Sequence, residues 1–162
     1  TIDCAHAVEV YNNVCAKLYD RPDGWYLLEQ ILRDGRRLSA IACDDAHFRH
    51  DDQFGAWVHV KSETLEPASL VEALKRGQHY SSQGPVIHSL ALDGRRLHVT
   101  CSPADAIMAV GATFRGQRRM GKSVTEAILD LSSLEGEWFR VAVIDQHGKR
   151  AWSNPYWWDE VG

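Results

Sequence analysis

Residues 43 to 48, Cys43-Asp44-Asp45-Ala46-His47-Phe48, gather the side chains of this 162-residue chain best suited to chemistry. A carboxylate and an imidazole two residues apart point to the same side if the backbone stays extended. Together they offer an oxygen and a nitrogen donor, which suit a divalent transition metal. Asp45 and His47 are therefore the candidate metal ligands. Asp-x-His is a short motif, however, and Asp44 or Asp45 could equally cap the turn leaving the preceding strand. Position strengthens the metal reading. Leu38-Ser39-Ala40-Ile41-Ala42-Cys43 is nearly all apolar, the pattern of a strand buried on both faces of a parallel sheet. The carboxyl ends of such strands are where ligands and metals sit.

The elements that must position this pair can be read on either side of it. Ala7-Val8-Glu9-Val10-Tyr11-Asn12 is a strand candidate ended by Asn12-Asn13. Trp25, Leu28 and Leu32 fall at i, i+3 and i+7, one face of a helix with Asp23 as its cap and Gly35 as its stop. Strand, helix, strand is the unit of a parallel sheet. After the polar loop Arg49-His50-Asp51-Asp52, Trp57-Val58-His59-Val60 predicts a third short strand. Pro67 opens a second helix with Leu70, Val71 and Leu74 on its apolar side and Gly77 as its end. His50 and His59 read as solvated or hydrogen-bonded residues, not ligands.

The pattern changes at Tyr80-Ser81-Ser82-Gln83-Gly84-Pro85. Val86 to Leu92 alternates, Asp93-Gly94 is a hairpin turn, and Leu97, Val99 and Cys101 share one face of the return strand. Ala106–Val110 and Ala127–Leu131 are further strand candidates, and His147-Gly148 turns a strand holding Phe139, Val141 and Val143 back towards Ala151-Trp152. Short strands with regular turns predict a small antiparallel β-sandwich. The expected division is residues 1–82, an α/β part, and residues 83–162, an all-β part.

With 44% hydrophobic and 25% charged residues the sequence reads as globular. A net charge of -4 and a pI near 6.0 give no electrostatic case for nucleic acid or an anionic membrane surface. No run has the length of a membrane span or the pattern of a signal peptide. Cys4, Cys15, Cys43 and Cys101 lack CxxC spacing and read as buried thiols of a cytoplasmic protein.

Five motifs in order carry a resemblance: Val8-Glu9-Val10-Tyr11-Asn12, Asp44-Asp45-Ala46-His47-Phe48, Gly55-Ala56-Trp57-Val58, Tyr80-Ser81-Ser82-Gln83-Gly84-Pro85 and Trp152-Ser153-Asn154-Pro155. Over nearly its whole length the chain resembles the C-terminal portion of bacterial PHP-type (polymerase and histidinol phosphatase) metal-dependent phosphoesterases. The resemblance implies part of a distorted β/α barrel followed by a β-rich extension. It also implies hydrolysis of a phosphorylated small molecule by a cluster of Mn, Zn or Fe ions. The family's final Asp-x-His motif maps onto Asp45 and His47, which the resemblance makes metal ligands. Asp44 stands where many relatives have Ser. The His-x-His motif of the family's N-terminus has no counterpart here, so the resemblance implies a preceding segment and a chain that is catalytically incomplete by itself. Two other readings remain. One is a binding module presenting Trp152, Trp157 and Trp158; the other is a non-catalytic relative that kept the scaffold and lost the metals.

Overall fold

The computed structural model describes residues 4–49, 51–112, 115–134 and 136–161, which fall into two units, 1–83 and 84–162. His50 lies outside the described residues.

In the first unit, β1 (Ala7–Asn12) and β2 (Ser39–Cys43) run parallel, with Ala7 opposite Ser39 and Asn12 opposite Cys43. Two helices connect them, α1 (Asn13–Tyr19) and α2 (Trp25–Arg33). Asn12 ends the strand as expected but also starts α1, which the sequence pattern did not reveal. Its Oδ1 accepts the Cys15 amide at 2.7 Å, a side-chain N-cap. On α2 the expected Trp25, Leu28 and Leu32 are buried, joined by Ile31. Full burial of one such side chain contributes about 2 kcal/mol. Asp23 Oδ1 accepts the Trp25 amide at 2.7 Å, while Gly24 occupies the cap position itself. Gly24 sits there for space: a Cβ would strike the Glu9 carbonyl oxygen of β1. Gly35, at φ +80, ends the helix in the left-handed conformation.

β3 (Trp57–Val60) does not extend this parallel pair. It pairs antiparallel with β4 (His79–Ser82), Trp57 opposite Ser82 and Val60 opposite His79. α3 (Pro67–Lys75) is stopped by Gly77 at φ +67, and the turn sends the chain back along β3. Pro67 opens α3 as expected, but Ala73 is its buried residue and Val71 is exposed. The resemblance implies part of a β/α barrel; among the described residues the parallel pairing is that of β1 with β2, and no barrel is formed.

The second unit is antiparallel. β5 (Ile87–Asp93) and β6 (Arg96–Gly111) are joined at Gly94, φ +56, with Asp93 opposite Arg96. β7 (Gly116–Asp130) follows the whole of β6. β8 (Trp138–Ile144) pairs with the second half of β6, with β9 (Arg150–Ser153) and with β10 (Tyr156–Trp157), which precedes a last turn, α4 (Trp158–Val161). The two strand candidates 106–110 and 127–131 fall within the longer β6 and β7, apart from Leu131 just past the end. A sandwich of two separately bonded sheets is not what forms here. β6 runs on through Pro103, its register shifting around Ala104, so its first half bonds β5 and its second half β8. Leu97, Val99, Ile107, Val141 and Val143 are buried along it.

Candidate functional site

The pair Asp45 and His47 follows β2 at the carboxyl end of the parallel strands. The backbone there is not extended: Asp45 adopts φ +56, a left-handed conformation that Asp tolerates better than most residues. The side chains still meet. Asp45 Oδ1 lies 4.0 Å from His47 Nε2, with the side chains 45% and 59% exposed.

A clasp of two other carboxylates shapes the loop that carries them. Asp44 accepts the amides of Phe54, Gly55 and Ala56 at 2.5, 2.7 and 2.8 Å. Asp52 Oδ2 in return accepts the His47 amide at 2.9 Å. Asp44 therefore fastens the far end of the loop, and Asp52 the near end. The Asp52 residue is only 3% exposed, and the His47 amide is the main cause holding its carboxyl below the ordinary value of 3.8. Helix α1 braces the same loop. The Val14 amide donates to the Asp44 carbonyl at 3.1 Å, Asn13 Nδ2 to the Asp52 carbonyl at 3.1 Å, and Lys17 Nζ to the Asp51 carbonyl. Gly55 leaves room for this brace, since a Cβ on it would overlap the Asn13 side chain.

β1 adds two groups that spacing concealed. Glu9 and Asn12 are three residues apart and would face opposite ways on a regular strand. The register shifts between Glu9 and Tyr11, a bulge that brings them to one side. Asn12 Nδ2 donates to both Glu9 carboxylate oxygens at 3.3 Å and to Asp45 Oδ2 at 3.4 Å. The Cys43 thiol donates to Glu9 Oε1 at 2.5 Å. Burial, then the hydrogen bond to Glu9 and its charge, push this thiol up to about 12, which makes it a poor nucleophile.

The other chemistry-bearing candidates are engaged elsewhere. His59 Nε2 accepts from Trp57 Nε1 at 2.9 Å and its ring stacks on Tyr80 at 4.6 Å. Burial lowers its pKa, which favours the neutral ring whose Nε2 accepts from Trp57. His79 is buried and its pKa is also lowered by burial. Trp152 is buried; Trp158 packs on Phe139 at 5.4 Å and donates its Nε1 to the Leu134 carbonyl at 2.6 Å. Trp152 and Trp158 thus take part in the packing of the second unit, and Trp157 lies half-buried in β10. The cysteines are free, and Cys4 is exposed where a buried thiol was expected.

Does the pair fit a metal ion? Oxygen and nitrogen donors sit about 2.0–2.2 Å from such an ion, so two of them lie at most about 4.3 Å apart. That limit is a straight donor–ion–donor line; in a tetrahedral site two donors stand about 3.4 Å apart. The pair at 4.0 Å must therefore close by roughly half an ångström, which its exposure permits. Among the described residues no group of three or more His, Cys, Asp or Glu is placed to hold an ion, so the two donors by themselves are not a complete ligand set. Among the described residues, no helix is long and apolar enough to cross a membrane. Comparison of the chain with family models, with curated proteins and with solved structures finds no match.

Proposed function

We propose that this chain supplies Asp45 and His47 to the metal centre of a PHP-type phosphoesterase, the β1–β2 pair being the part of the barrel that carries them. The observation that carries this reading is their placement. A carboxylate and an imidazole lie 4.0 Å apart at the carboxyl end of a parallel strand pair, on a loop held by Asp44 and Asp52. Bound ions would acidify a water and neutralise the phosphate of the substrate. The chain's own contribution is to present one oxygen and one nitrogen donor in fixed register, and to keep neighbouring amides and carboxylates paired so that they do not compete. A catalytic ion takes three or more protein ligands, so the complete site needs donors beyond this pair.

Titration of the 15N-labelled chain with MnCl2 tests the assignment. Paramagnetic broadening is expected to centre on Asp45 and His47, to reach Asn12 and Cys43 next, and to disappear in Asp45→Ala and His47→Ala. Broadening centred elsewhere, or unchanged in both variants, would remove the pair as ligands.

A further inference from the structure

The geometry points to Asn12 as a positioning residue that orients Asp45 for metal binding, an inference that rests on the metal reading of the Asp45–His47 pair. Asn12 is only 8% exposed and its amide has one possible orientation. Its Oδ1 accepts the Cys15 amide at 2.7 Å, and only the oxygen of a carboxamide can accept an N–H. Nδ2 must therefore face the other way, towards Glu9 and Asp45. The helix cap thus fixes where the two donor hydrogens point. They fall between two carboxylates, taking Glu9 on one side and Asp45 on the other.

Which Asp45 oxygen is used matters. Asn12 holds Oδ2, and Oδ1 is the oxygen that lies 4.0 Å from His47 Nε2. Asn12 therefore turns Asp45 so that its other oxygen faces the imidazole. Hydrogen bonds of this kind set the orientation of ligating carboxylates, and their loss costs roughly 10- to 100-fold in metal affinity. The bulge in β1 is what makes the arrangement possible, because it moves Asn12 onto the face that carries Glu9.

Asn12→Ser separates the two jobs of this side chain. Serine caps helices well, so α1 keeps its start, but it cannot place a donor between the carboxylates. By the same Mn2+ titration, Asn12→Ser is expected to bind about tenfold or more weakly than the parent, with a closely similar thermal midpoint. Asn12→Thr, a second hydroxyl cap, is expected to do the same and covers the case in which serine leaves the helix frayed. Asn12→Ala loses both cap and donor, and should lose stability as well as affinity. Parent-like Mn2+ affinity in the serine and threonine variants would overturn the inference. So would affinity that falls only in step with the folded fraction, which would leave Asn12 as a cap and nothing more. A parent chain that shows no Mn2+ effect at Asp45 and His47 overturns the metal site itself, and this inference with it.

Discussion

Asp44 and Asp52 divide the work of holding one loop, Asp44 at its far end and Asp52 at its near end. Asp52 titrates below its ordinary value because its charged form accepts the His47 amide, with the Phe48 amide adding to the effect. Its folded form therefore takes up a proton less readily than the unfolded chain does. That preference stabilises the fold above the ordinary carboxylate range and is lost as pH falls through the depressed value. Urea unfolding followed from about pH 5 down to about pH 2.5 should show the parent losing stability in acid, and Asp52→Asn losing less. Some slope should remain in the variant, because Asp130 is also held low, by the Ser132 hydroxyl and amide. An identical acid slope in parent and variant would contradict the clasp. At this scale the sequence showed part of the candidate site. The Asp45–His47 pair was legible because a two-residue spacing after an apolar strand is a local pattern. Asp44 and Asp52 were not, because the amides they accept lie ten or more residues further on in one case and five residues back in the other.

Elements obey local signals until two signals share a residue. Asn12-Asn13 was legible as a strand end, but Asn is also a helix cap, and nothing local says that a seven-residue helix follows at once. The bulge beside Glu9 was equally hidden, since the alternation of β1 reads as regular and the shift exists only against β2. By contrast α2 was legible because Trp25, Leu28 and Leu32 repeat at helical spacing and Asp23 and Gly35 bracket them. The start of α2 gives a test of how closely it is seated. Gly24→Ala adds a Cβ against the Glu9 carbonyl and within 3.3 Å of the Val10 Cα, both backbone atoms that cannot swing aside. Its φ of -105 is open to alanine, so the cost is steric. A loss of about 1–3 kcal/mol in urea unfolding is expected, as for other overpacked contacts. Parent-like stability would mean that α2 moves off β1 without penalty.

On the scale of the molecule, the antiparallel character of the second unit was legible because hairpin turns such as Asp93-Gly94 and His147-Gly148 are written in the residues themselves. Its connection as one bonded sheet was not, because Pro103 reads as a break and the strand passes through it. The same distinction bears on activity. Two donors hold an ion weakly, so the chain by itself, given Mn2+, Zn2+ or Fe2+, is expected to hydrolyse an aryl phosphate no faster than background. Metal-dependent turnover that disappears in His47→Ala would refute that expectation. One further consequence follows from β7. It bonds to β6 along its length and, among the described strands, to no other, so it presents a row of unpaired amides and carbonyls that could template another chain. Arg118, Arg119 and Lys122 stand exposed along this edge. Glu126 and Asp130 stand exposed further along the same strand. Strands that pair come within about 4.8 Å, inside the roughly 8 Å over which physiological salt screens charge, so a parallel in-register pairing of two such edges sets like charges side by side and is repelled. Concentrated salt weakens that repulsion, and the chain should then begin to self-associate through this edge.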